Sequence, residues 1–161
     1  MTRTTSRAVA AEKLSKQRLR LWLRILKVSR LVAGELRDKL RDDHETTLPR
    51  FDVMAALYRA DKGLKMSELS SVLMVSNGNV TGIVDRLAEE GRLVRMPVEG
   101  DRRATIVRLT QKGREHFADL AERHERWVNE LLSSLDAVET AQATNLLDAL
   151  ARSLDQPEDK P

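Results

Sequence analysis

The chain contains no cysteine in its 161 residues. Disulfides, thiolate zinc sites and cysteine-based redox switches are therefore excluded. Aromatic residues are almost as scarce, with two Trp, two Phe and one Tyr. Any core must be assembled from Leu, Val, Ile, Ala and Met. No apolar run approaches the roughly 20 residues that span a bilayer. The longest early run, Ala8-Val9-Ala10-Ala11, is too short for a signal peptide. A cytoplasmic protein with no membrane partner is the expectation. There is no Gly-rich phosphate loop, no pair of carboxylates with a plausible cleft, and no nucleophile placed beside a His and an acid in a recognisable signature. No catalytic residue, no cofactor and no enzymatic activity are expected. The histidines are His44, His116 and His124. The last two lie eight residues apart on one expected helix and can share a side. Without Cys or an i, i+4 pair they are expected to hold no metal, and His124 falls in an apolar register that reads as helix packing.

What remains is a soluble helical composition, 41% hydrophobic and 33% charged, with a formal charge of +3. A charge that small does not identify a nucleic-acid binder; clustering of the basic residues does. Residues 1–13 carry no early periodicity and read as a flexible basic arm. From 14 to 40 the apolar positions recur at helical spacing, Leu21, Ile25, Val28, Val32, Leu36 and Leu40, with a second stripe at Leu19, Trp22, Leu23 and Leu26. A helix with two apolar faces needs two surfaces to bury against, and a second subunit is the economical choice for one of them.

Pro49 suits the first turn of a second helix carrying Phe51, Met54, Ala55, Leu57 and Tyr58, which Asp61-Lys62-Gly63 ends. A third short helix runs to about Leu73, with Ser67 expected as its cap. After a tight turn at Val75 and Ser76, a fourth helix places Val80, Ile83, Val84 and Leu87 on one face and stops at Gly91. Two short β-branched segments, 92–96 and 104–109, flank Pro97, Gly100 and Asp101 and predict a hairpin. Thr110 is expected to cap a long helix bearing Phe117, Leu120, His124, Trp127, Val128 and Leu131. Asp136 and Glu139 read as a capping box for a last helix with Val138, Leu146, Leu147, Leu150 and Leu154.

This order predicts a mainly α fold with a small β-hairpin wing, a winged helix-turn-helix flanked by helical dimerisation regions. The expected divisions are 1–13 arm, 14–48 dimerisation helix, 49–110 DNA-binding domain, 111–154 dimerisation helices and 155–161 tail. Ser76, Asn77, Asn79 and Thr81 set short hydrogen-bonding side chains at the start of the fourth helix, where base edges are read; either Asn can pair with adenine. Gly78 and Gly82 each cost roughly 1 kcal/mol relative to Ala in a helix interior. Close approach to DNA accounts for them, as does close packing of two helices. Arg86, a turn or two later, suits phosphate, or else pairs with Glu89 or Glu90. Arg92, Arg95, Arg108, Lys112 and Arg114 extend a positive surface, of which some members contact phosphate and others are ordinary surface charges.

The run from Val75 through Ser76-Asn77-Gly78-Asn79-Val80-Thr81-Gly82 to Leu87, its exit Glu89-Glu90-Gly91-Arg92, and Asp101-Arg102-Arg103 followed in register by Leu109-Thr110 and Gly113 resemble the MarR family of regulators. The resemblance covers about residues 14–154. It implies that Arg103 enters a minor groove while Asp101 orients its guanidinium, with Arg102 beside them at the loop tip. It also implies a homodimer that binds double-stranded DNA at a pseudo-palindromic operator, represses, and is released by a small molecule lodged between the DNA-binding and dimerisation regions. Trp22, Leu26, Arg30, Met54, Tyr58, Phe117 and His124 are the candidate pocket residues, although Trp22 and Trp127 also read as core or interface. The form of the fourth helix is similar to that of regulators of aromatic-acid breakdown, which points to an aromatic acid or its CoA thioester as effector. Arg18, Arg20, Arg24, Lys27 and Arg30 can meet CoA phosphates or simply form a solvated face. A nucleoid-type architectural protein with little sequence preference is the alternative.

Overall fold

The computed structural model describes residues 2–44, 46–98 and 101–155, with side chains for 12–42, 46–76, 78–97 and 104–155. It opens with α1 (Thr2–His44), a single helix of 43 residues, so residues 2–13 of the expected arm are helical in backbone. No proline or glycine interrupts the chain before Gly34, and Ala8, Ala10 and Ala11 favour helix. Only the end of α1 is buried: Leu36 and Leu40 are closed off, whereas Leu19, Leu21, Trp22, Leu23, Val28 and Leu31 are all exposed.

Pro49 falls in the first turn of α2 (Leu48–Tyr58), where its missing N–H costs nothing. This helix buries Phe51, Val53, Met54, Ala56 and Leu57. The chain then turns through Gly63 at φ +82°, where a Cβ would collide with the Val107 carbonyl and the Ile106 side chain. A strand that sequence patterning does not predict follows, β1 (Leu64–Lys65). Helix α3 (Met66–Leu73) starts two residues earlier than Ser67 allows as a cap, with Lys65 at the N-cap position. Its first turn is closed instead by the Glu68 carboxylate, which accepts the Lys65 N–H at 2.7 Å. Met74 takes the left-handed conformation at φ 54°, and the Val75 N–H donates to the Ser70 carbonyl. Extended Ser76 leads into α4 (Asn77–Glu89); it occupies the N-cap position without a side-chain capping bond.

Gly91, at φ +71°, turns the chain out of α4 into β2 (Leu93–Val98) and β3 (Asp101–Leu109). The hairpin is antiparallel, pairing Leu93 with Leu109 and Arg95 with Val107, and its register shifts between Pro97 and Val98. β1 pairs with the other edge of β3, giving the order β1-β3-β2. The fully buried residues Leu40, Val53, Met54, Leu57, Leu69, Val80, Val84, Leu87, Val107 and Leu120 come from α1 to α4, the sheet and the following helix α5 (Gln111–Leu131). As expected, Thr110 caps α5: its hydroxyl accepts the Gly113 N–H at 3.0 Å and donates to the Gly91 carbonyl at 2.8 Å.

By contacts the chain forms two units, Met1–His124 and Glu125–Pro161. The second holds the end of α5 and α6 (Ala137–Asp155). The capping box is present there: the Glu139 N–H donates to Asp136 at 2.8 Å and the Asp136 N–H to Glu139 at 3.1 Å. No residue of α6 is buried, and Leu146, Leu147, Leu150 and Leu154 all face solvent. Among the described residues no helix is long and apolar enough to cross a membrane.

Candidate nucleic-acid interface

Helix α4 is sharply two-sided. Val80, Val84 and Leu87 are fully buried, while Ser76, Gly78, Asn79, Thr81, Gly82 and Arg86 are exposed. Asn77 occupies the first turn, and its side chain lies outside the described residues. Gly78, Gly82 and Arg86 recur every four residues and therefore share one strip of the helix. A Cβ at Gly78 or Gly82 would meet no atom within 4 Å. Close packing of two helices thus does not explain these glycines. The strip lines an open groove of about 560 Å³, with Thr47 and Arg50 on its far side.

Arg86 makes no ion pair among the described residues, so the alternative of a bond to Glu89 or Glu90 is not realised. Glu90 instead takes both oxygens to Arg50 of α2, at 2.6 Å in one contact, and lies 3.3 Å from Arg92. Bonding to Arg50 outweighs partial burial and holds the Glu90 carboxyl below its ordinary value of 4.5. This clamp ties the end of α4 to α2 across forty residues of sequence, and no local pattern announces it.

Most of the basic residues expected to widen the positive surface are already committed. Arg95 pairs with Asp85 at 2.6 Å, Arg114 with Asp61 at 2.8 Å, and Lys112 donates to the Glu90 carbonyl at 3.1 Å. Arg92 belongs to the Glu90 cluster. Of these five, only Arg108 has an exposed side chain with no such partner among the described residues. Asp101, Arg102 and Arg103 open β3 in backbone, and their side chains lie outside the described residues.

The candidate pocket residues separate into two groups. Tyr58, Phe117 and His124 join one aromatic cluster whose centre is Phe51, a residue of the apolar face of α2. Phe51 stacks on His124 at 4.2 Å and meets Phe117 at 5.3 Å, and Tyr58 meets Phe117 at 5.0 Å. Arg114 lies over the Tyr58 ring at 5.5 Å. Met54 is core, whereas on α1 Leu26 is half-buried and Trp22 and Arg30 are exposed. His116 and His124 do not form a pair: His116 lies near Glu90, and His124 stacks on Phe51. Among the described residues no three His, Asp or Glu side chains gather as a metal site.

Burial pushes the His124 imidazole below its ordinary value of 6.5. The unfolded ring therefore binds a proton before the folded one does. The stability it confers is complete above about pH 6.5 and is lost as pH falls below that point. Glu90, also lowered, contributes stability that is present above 4.5 and lost as pH falls further. Denaturant unfolding against pH is expected to show loss in two windows. His124→Phe, which keeps a ring against Phe51, should remove only the first. An unchanged slope between about pH 6.5 and pH 5 in that variant would assign the effect to another group.

Comparison with known proteins agrees with this geometry. The model of the MarR family matches residues 46–105, from just before α2 into β3. The HTH-type transcriptional regulator PecS of Dickeya dadantii (strain 3937) is 32% identical over 130 residues, 80% of this chain and 78% of its own. The crystal structure of a MarR family transcriptional regulator from Silicibacter pomeroyi is 35% identical, with a TM-score of 0.73 over 88% of this chain and 97% of that one. A mutant MarR from E. coli, solved in complex with operator DNA, is 26% identical with a TM-score of 0.70, over 83% of this chain and 95% of its own.

Proposed function

The chain belongs to the MarR family, whose members are transcriptional regulators and not enzymes, and from that premise we propose that it is a homodimeric repressor that reads a pseudo-palindromic operator through α4 and is released by a small ligand. The observation that carries the DNA-reading part is the open Gly78–Gly82–Arg86 strip on a helix whose opposite face is fully buried. Two residues without side chains let a duplex come close to the α4 backbone. Ser76, Asn77, Asn79 and Thr81 then read base edges, and Arg86 takes a phosphate. With Arg92, Arg95, Lys112 and Arg114 committed to internal partners, Arg108 is the member of that group placed to meet phosphate. The wing's minor-groove contact is assigned to Arg103 on the family resemblance, with Asp101 holding its guanidinium and Arg102 alongside.

The dimer is supported by the exposed apolar side chains on α1 (Leu19, Leu21, Trp22, Leu23, Val28, Leu31) and on α6 (Leu146, Leu147, Leu150, Leu154), which a partner subunit would cover. A two-fold dimer places its reading helices on half-sites whose centres lie about one helical turn apart. Occupancy of a promoter by such a dimer blocks transcription. The releasing ligand is an aromatic acid or its CoA thioester, held near Tyr58, Phe117 and His124, with Trp22, Leu26, Arg30 and Met54 as its further neighbours. The aromatic cluster offers the ring a stacking surface, and the arginines of α1 offer the thioester's phosphates a counter-charge.

Selection of tight binders from a pool of random duplexes, with sedimentation of the same sample, tests the reading. The expected result is one enriched pseudo-palindrome bound by a dimer that does not dissociate into folded monomer at micromolar concentration. A stable folded monomer would remove the basis for the palindrome. Tight binding with no enriched sequence would favour an architectural role.

A further inference from the structure

A second cavity, of about 380 Å³, lies inside the first unit on the side of α4 that meets α2. Asp52 and Val53 of α2, Leu73 and Val75 at the end of α3, and Asn79 and Ile83 of α4 line it. Its volume falls at the lower end of the roughly 300–1,000 Å³ typical of small-molecule sites. The lining is mostly aliphatic, and Asp52 is the one charged residue in it. That carboxylate forms no hydrogen bond or ion pair among the described residues, although twenty-eight Lys and Arg are available in the chain. An aliphatic chamber with one unpaired carboxylate at its edge is complementary to an apolar body carrying one positive charge.

Asn79 gives the cavity a second meaning. It lines both this chamber and the open groove beside Gly78 and Gly82, so a molecule in the chamber touches a residue proposed to read bases. We propose that the chamber binds a small aryl- or alkyl-ammonium ion, its charge against Asp52 and its body against Leu73, Val75 and Ile83, and that occupancy weakens DNA binding by engaging Asn79. The site is distinct from the aromatic cluster around Phe51 and takes ligands of opposite charge. The coupling to DNA rests on the α4 reading proposed above, whereas the binding does not. Partial desolvation raises the Asp52 carboxyl above its ordinary value of 3.8, so affinity for the ammonium should fall as acidification protonates it.

The test titrates the intact protein with 2-phenylethylamine, its uncharged counterpart 2-phenylethanol and the anion phenylacetate, by calorimetry and by thermal shift. The amine is expected to bind at least about tenfold more tightly than the alcohol, and phenylacetate most weakly. Asp52→Asn, at an exposed position without partners among the described residues, should fold normally and bring amine and alcohol to within about twofold of each other. Leu73→Trp, which fills the chamber, should weaken both. Equal binding of amine and alcohol, preference for phenylacetate, or undiminished amine binding by Asp52→Asn would overturn the site. In a parallel titration against the selected duplex, saturating amine should raise the apparent Kd for DNA about tenfold in the wild type and leave Asp52→Asn unaffected. Amine binding with unchanged DNA affinity would overturn the coupling. Absence of any DNA binding would instead reject the reading role of α4 and leave the ammonium site standing.

Discussion

Gly113→Ala should destabilise the chain by about 3 kcal/mol or more, despite replacing a helix residue with the best helix former. Gly113 is buried in the first turn of α5, and a Cβ there would run into the carbonyl of Arg92. That carbonyl cannot simply yield. It accepts the Thr110 N–H at 3.0 Å and the Thr110 hydroxyl at 3.2 Å, and the hydroxyl in turn receives the Gly113 N–H. Moving it disturbs the α5 cap and the start of β2 together. Propensity favours Ala by roughly 1 kcal/mol, too little to offset an overlap with backbone. Against a total stability of roughly 5–15 kcal/mol, the variant should lose its transition to a much lower urea midpoint. A variant as stable as the wild type would mean that α5 does not pack on the exit of α4 as described.

The other large effect has opposite signs in two measurements. At Gly78 and Gly82 a methyl group meets nothing within 4 Å and φ is not positive, so the Gly78→Ala/Gly82→Ala double variant should gain up to about 2 kcal/mol of stability from helix propensity alone. On DNA the same methyl groups stand between the α4 backbone and the duplex. Affinity for the selected site should drop at least about tenfold, or roughly 1.4 kcal/mol. Thermal unfolding and a binding titration on one preparation read both signs. Greater stability with unchanged DNA affinity would show that this strip does not face the duplex.

Gly91 as the end of α4, the Thr110 cap and the Asp136–Glu139 box are local rules of backbone geometry, and all three are present. The buried face of α4 was equally plain from its 3.6-residue period. Local rules fail where a tertiary partner decides. β1 is two residues long, too short for any alternation, and exists because β3 offers an edge. Glu68 rather than Ser67 closes the start of α3, since the longer side chain reaches back to Lys65. Arg92, Arg95 and Arg114 read alike as surface charges. Only the fold brings Asp61 to Arg114, fifty-three residues away, and Arg50 to Glu90. The aromatic cluster is likewise assembled from α2 and α5: Tyr58, Phe117 and His124 were legible as candidates for one site, whereas Phe51, which joins them, was not. Helix α1 was legible as two-faced, yet within the chain only its last turns are covered.

The most direct check on the proposal that α4 reads sequence while the wing supplies charge is a salt titration of DNA binding by the wild type, Asn79→Ala and Arg103→Ala, each against the selected duplex and a random one. Asn79→Ala should cost on the order of 1–3 kcal/mol on the selected site and far less on random DNA, with the salt slope unchanged, since a base-edge bond is lost and no phosphate contact. Arg103→Ala should weaken both duplexes alike and flatten the slope by about one unit. The contrary result is Asn79→Ala binding the selected duplex as the wild type does, with the protein folded and dimeric; α4 would then not be the element that reads the operator.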